Sequence, residues 1–138
     1  MSSGDIVEAF RQAETLVTQR RPLEALRVLE PVLDTASDKP SVQLLLGRAY
    51  LFSAQLHRAE RAFARVIELD PSDHYARLVL GRTLQRQGRL DEAQTQIRLA
   101  ATMYPDPAYQ EMLGEINARI AVNGNGNGNG NGNGNGNG

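Results

Sequence analysis

The chain has 138 residues, a formal net charge of −1 and no cysteine. Its length suits a single domain, its charge balance leaves no global basic field to hold nucleic acid, and the lack of cysteine removes disulfides, thiol nucleophiles and Cys-based metal sites. Met1 to Phe10 has neither the basic stretch nor the apolar core of a secretory signal, and no run approaches the roughly 20 apolar residues of a membrane span, so a soluble cytoplasmic protein is expected.

Outside an Asn-Gly repeat from Asn123 to Gly138 the only glycines are Gly4, Gly47, Gly81, Gly88 and Gly114. Few glycines, abundant Ala, Leu, Arg, Glu and Gln, and no alternating apolar run predict an all-α body. Seven helices follow in order. The first spans about Asp5 to Gln19. The second opens at Pro22, a favourable first-turn residue, and reaches about Leu33, with a kink or fraying at Pro31, which removes a backbone donor. The third spans about Pro40 to Ser53, and the fourth about Leu56 to Leu69, ending at Asp70-Pro71. The fifth starts after Asp73, a candidate N-cap, and ends before Gly88, a candidate left-handed residue. The sixth spans about Leu90 to Met103, with Asp91 and Glu92 in its first turn, where they suit the helix dipole. The seventh starts at Asp106-Pro107 and is expected to fade near Val122. The Asn-Gly tail has no apolar or charged residue with which to offset the cost of ordering, so residues 123–138 are expected to be disordered, first as a natural low-complexity spacer, with an engineered linker and then a binding element as the alternatives.

A period of 34 residues runs through the helices. Leu46-Gly47 recurs as Leu80-Gly81. Ala25, Ala59 and Ala93 share one register, as do Leu29, Phe63 and Ile97, and as do Leu16, Tyr50 and Leu84. Pro71 recurs as Pro105. Such a period denotes stacked helix pairs that bury a continuous core only as an array. Gly47 with Ala59, and Gly81 with Ala93, are expected to let the helices of one pair approach closely, with Tyr50 and Phe63 filling the space between pairs.

These motifs resemble the tetratricopeptide repeat family. The middle unit carries Leu46-Gly47-Arg48-Ala49-Tyr50, then Ala59 with Phe63, then Pro71; the next carries Leu80-Gly81-Arg82-Thr83-Leu84, then Ala93 with Ile97, then Pro105. The first is weaker, with Ala13, Leu16 and Ser37 at the glycine, tyrosine and proline positions, and Gln43 and Arg77 stand where the family often has tryptophan. The resemblance covers about Asp5 to Val122. It implies an α-solenoid of three helix pairs, at about 5–37, 40–73 and 74–107, capped by a helix over 107–122 and followed by the tail at 123–138. Leu113-Gly114 imitates a fourth repeat one residue out of register. On the cap, Met112, Leu113, Ile116 and Ile120 suit the inner face, and Glu111, Glu115, Asn117 and Arg119 the outer one.

The resemblance also implies a concave groove lined by the first helix of each pair. Its partner-binding residues would be Arg48, Arg82, Arg86, Leu44, Leu51, Phe52, Tyr75 and Leu78, with Val7, Phe10, Arg11, Glu14, Val17 and Thr18 on the first helix and Ser41, Leu45, Val79 and Gln85 completing the face. The third helix supports this independently, because Leu44, Leu51 and Phe52 place apolar area beyond the packing face of Leu46, Gly47 and Tyr50. Arg48 and Arg82 would form a ladder, either taking acidic side chains or a C-terminal carboxylate of a partner, or pairing with local carboxylates or pointing at water. The family's chaperone-tail clamp of Lys and Asn is absent, since the matching places hold Val7, Arg11, Leu45, Tyr75 and Val79.

No pattern of catalysis appears. His57 and His74 lack metal-ligand spacing and are expected at solvent; no nucleophile elbow or Gly-rich phosphate loop is present. No cofactor and no enzymatic role are implied. The chain reads as an interaction scaffold or adaptor whose partner is another protein or peptide; self-association into an assembly is the alternative. An RNA-binding helical repeat fits poorly with the net charge of −1 and the Gly/Ala/Pro register.

Overall fold

A computed structural model describes the backbone of residues 3–132 and the side chains of residues 4–124. Among these residues there are helices and turns and no strand. α1 (Ser3–Thr18) pairs with α2 (Pro22–Leu29). A 3₁₀ turn over Glu30–Val32 and the single turn α3 (Leu33–Ala36) follow. The break falls at Pro31, which has no N–H for an α-helical bond. α4 (Pro40–Phe52) pairs with α5 (Leu56–Leu69), and α6 (His74–Arg86) with α7 (Leu90–Met103). The last helix, α8 (Pro107–Gly132), packs on α7. Asp73 caps α6 by accepting from the Ala76 N–H at 2.9 Å, and Asp106 does the same for Ala108 at 2.7 Å.

The three turns inside the pairs are built alike. Each places one residue in the left-handed region: Arg20 at φ 62°, Ala54 at φ 60° and Gly88 at φ 79°. In each, the next N–H reaches back to the preceding helix: Arg21 to the Leu16 carbonyl at 2.8 Å, Gln55 to Tyr50 at 2.8 Å, and Arg89 to Leu84 at 3.0 Å. This hydrogen-bond pattern ends a helix on a left-handed residue. The sequence signals it only at Gly88, because Arg and Ala disfavour that conformation.

Packing follows the repeat register. Ala25, Ala59, Ala93, Leu29, Phe63 and Ile97 are all fully buried. The Phe63 ring lies directly against Gly47, where any Cβ would overlap it, and Ile97 does the same at Gly81, 2.5 Å from where a Cβ would stand. The glycines therefore accommodate the large residue of the partner helix as well as the nearby alanine. One core joins α1, α2, α3 and α4 with Ala62 of α5; a second joins α5, α6, α7 and α8 with Leu51 of α4; Tyr50 packs against both.

α8 departs from expectation at its end. The sequence places its C-terminus near Val122, and the structure carries it to Gly132. An established helix extends without a new nucleus, although each glycine is about 1 kcal/mol less favourable there than alanine. The remainder of the tail expected to be disordered, residues 133–138, lies outside the described residues. Gly114, unlike Gly47 and Gly81, faces open space, and exposed Gln110, Glu111, Asn117 and Ala118 lie on either side of it in the sequence. Among the described residues, no second helix follows α8 to form a fourth pair.

Candidate functional site

One face of α4, α6 and α8 encloses a concave pocket of about 240 Å³. α4 contributes Arg48, Leu51 and Phe52; α6 contributes Tyr75, Leu78, Val79 and Arg82; α8 contributes Met112. Leu51, Leu78 and Val79 form part of the buried core beneath, whereas Phe52 and Tyr75 stand at the surface, each 38% exposed. The period explains the convergence: successive helices of the same rank repeat the same face, and Arg48 and Arg82 occupy the same place on two of them.

Two residues assigned to this groove from sequence do not line this pocket. Leu44 is half-buried and packs against the core instead of lining the pocket. Arg86 donates from Nη1 to the Leu51 carbonyl at 3.0 Å, a backbone acceptor at the end of α4 that also takes the Ala54 N–H at 3.1 Å. Met112 enters the pocket although it was expected only on the packing face of the last helix; the one-residue register slip of α8 puts it where Val79 stands on α6.

Charge is distributed unevenly around the pocket. The ion pairs among the described residues engage Arg21, Arg65 and Arg89. Arg48, half-buried, and Arg82, exposed, take part in no ion pair or side-chain hydrogen bond among those residues. Of the alternatives left open by the sequence, local pairing is not seen among the described side chains. At the rim, the Arg20 guanidinium lies over the Phe52 ring, 4.4 Å from its centroid, a cation–π contact that the left-handed backbone of Arg20 sets up. A larger cavity of about 400 Å³ lies between α1, α3 and the start of α4, lined by Ile6, Val7, Phe10, Thr35, Lys39, Ser41 and Val42. Val7, Phe10 and Ser41 there belong to the groove face read from sequence; Lys39, the chain's sole lysine, was not singled out.

Two overlapping stretches, residues 16–74 and 53–116, match the sequence profile of the tetratricopeptide repeat. The chain belongs to the tetratricopeptide repeat family. No curated protein sequence matches it significantly. Its fold is that of other tetratricopeptide domains. The first such domain of Spaghetti (RPAP3) bound to the HSP90 peptide SRMEEVD superposes with a TM-score of 0.80 at 17% identity, covering 88% of this chain and 97% of that one. The first such domain of human RPAP3 gives 0.80 at 17%, over 87% and 95%. The Yersinia enterocolitica type III secretion chaperone SycD, in complex with a peptide of the translocator YopD, gives 0.73 at 16%, over 88% and 93%.

Across the repeats, the face of α6 turned away from the groove is used differently. There Glu60 of α5 accepts from Arg89 Nη1 at 2.8 Å and from Gln87 Nε2 at 3.0 Å, while Arg89 also grips Glu92 through Nε at 2.8 Å and Nη2 at 2.7 Å. Burial pushes the Glu60 carboxyl up, but the two donors outweigh it and hold the group below its usual range. The Glu92 carboxyl is likewise held down, chiefly by its bonds to Arg89. This network ties the second repeat to the third.

The histidines behave unlike each other. His57 is exposed. His74, expected at solvent, is half-buried: its ring stacks on Tyr104 with centroids 4.1 Å apart, and its Nδ1 shares a hydrogen bond with the Tyr109 hydroxyl at 2.9 Å. The contact is tertiary, joining the start of α6 to the α7–α8 turn across about one repeat, which is why local sequence did not reveal it. Burial, then neighbouring acidic and tyrosine groups, pushes the Tyr109 phenol up. Among the described residues no cluster of three or more acidic and histidine side chains is arranged to hold a metal ion, and no helix is long and apolar enough to cross a membrane.

Proposed function

We propose that the chain is a non-catalytic protein-interaction module that holds a segment of a partner protein in the groove of α4, α6 and α8. The observation that carries this reading is the pair of unpartnered guanidiniums, Arg48 and Arg82, set beside an apolar pocket. Apolar side chains of the partner enter between Phe52 and Tyr75, and its acidic groups take the arginines by charge-assisted, bidentate hydrogen bonds. Tetratricopeptide domains of the same fold hold an HSP90 peptide in one case and a translocator peptide in another, which supports peptide capture as the use of this groove.

The test is partner capture from a lysate of the source organism with wild type and with Arg48→Glu/Arg82→Glu, both shown to melt at the same temperature. The reading requires a protein held by the wild type and lost from the double variant. Equal capture by both sinks it.

A further inference from the structure

The charge order along the groove carries more information than the two arginines alone. α4 and α6 correspond at an offset of 34 residues and α1 and α4 likewise, with Ala13 and Leu16 in the places of Gly47 and Tyr50. α8 keeps the same face at an offset of 33: Tyr109 and Ile116 take the buried places of Ala76 and Thr83, and Leu113-Gly114 those of Leu80-Gly81. On this register Glu14, Arg48, Arg82 and Glu115 fall in one row across the four helices. Glu14 and Glu115 are exposed, and neither forms an ion pair among the described residues. Arg11 and Arg119 lie one turn off the row, on opposite sides of it, so the row itself reads acid, base, base, acid.

Resting on the groove reading above, we propose that the module selects an extended segment carrying an internal pair of acidic residues three positions apart, with a basic residue three positions beyond each. Rungs about 10 Å apart match an extended chain in the polyproline-II conformation, which advances about 3.1 Å per residue with three residues per turn, so every third side chain returns to the groove face and meets the next rung. The order is the same in both directions, so the selection holds whichever way the segment runs. A longer acidic run is rejected, because its outer carboxylates would face Glu14 and Glu115; like charges in register cost binding and opposite ones favour it.

The probes are two labelled decapeptides with blocked termini, Lys-Ala-Leu-Asp-Ala-Leu-Asp-Ala-Leu-Lys and the same sequence with Asp in place of both Lys. Fluorescence anisotropy at low salt is expected to show the first binding wild type about threefold to tenfold more tightly, the sum of two exposed charge pairs. Glu14→Lys/Glu115→Lys is expected to reverse the preference. Equal or tighter binding of the all-Asp peptide to wild type, or an unchanged ratio in the double variant, overturns the charge-order proposal while leaving the groove reading intact. If neither peptide binds wild type, or if Arg48→Glu/Arg82→Glu leaves the affinity of the first unchanged, the groove reading fails and the charge order falls with it.

Discussion

Arg89 and the pair Arg48 and Arg82 show two uses of one side chain on either side of α6. Arg89 is held by two carboxylates and helps clamp successive repeats. Arg48 and Arg82 have an apolar pocket beside them and no carboxylate bound. A guanidinium with internal partners belongs to the architecture, and one left without them beside a concave apolar surface is available to something else. The composition, fourteen arginines to one lysine, cannot make that distinction; only the neighbours of each residue can.

Both sides depend on the same register, and the largest expected effect tests it. Gly47→Leu forces a side chain into the space of the Phe63 ring, and overpacking of this kind costs about 3 kcal/mol. The melting temperature is expected to fall by about 10 °C. A shift of less than about 2 °C would mean that α4 and α5 do not meet at Gly47, and the assignment of Arg48 to the groove would be lost with that register.

The clamp is probed next, through Glu60. Its side chain is 27% exposed, and losing its charged hydrogen bonds by Glu60→Gln is expected to cost about 1 kcal/mol at pH 7. Because the folded carboxyl titrates below its unfolded value, its contribution is full above about pH 4.3 and disappears as pH falls through the lower folded value. Thermal melts of wild type and Glu60→Gln should therefore differ at pH 7, and the difference should shrink as pH falls below the usual glutamate range. A gap that does not narrow with falling pH would assign the loss to packing and not to charge.

Much of this was legible in advance, and the failures share a cause. The period identified helix pairing and brought Arg48, Arg82, Leu51, Phe52, Tyr75 and Leu78 to one pocket, because a face repeated on stacked helices must line up. Leu44, Arg86 and His74 each make a tertiary contact that local sequence does not reveal: a core neighbour, the Leu51 carbonyl, and the Tyr104 and Tyr109 rings; for His74 that contact replaces the solvent expected from sequence. The left-handed turns at Arg20 and Ala54 were hidden for a different reason. Their conformation is imposed by the turn geometry shared with Gly88, against the preference of the residues themselves. That gives a third test, in the stabilising direction: Ala54→Gly relieves the strain and is expected to add about 0.5–1 kcal/mol, seen as a rise of about 2–4 °C in melting temperature. No rise would show that Ala54 is not held left-handed in solution.

The smallest expected effect sharpens the comparison most. If Arg48 and Arg82 hold nothing within the fold, Arg48→Glu/Arg82→Glu should leave stability within about 0.5 kcal/mol of wild type, against the clear loss at Glu60. A neutral result does not mean that the residues are idle. On the register proposed above, the carboxylates in line with the reversed side chains are Glu14 and Glu115, which are exposed and so screened by solvent and salt. Repeating the melts at low salt tests that row directly: new glutamates between existing ones should destabilise slightly as screening is withdrawn, and Glu14→Lys/Glu115→Lys added to the reversed pair should recover the loss. If salt makes no difference in either variant, the four charges are too far apart to act as one row, and the spacing assumed for the partner's acidic pair is wrong.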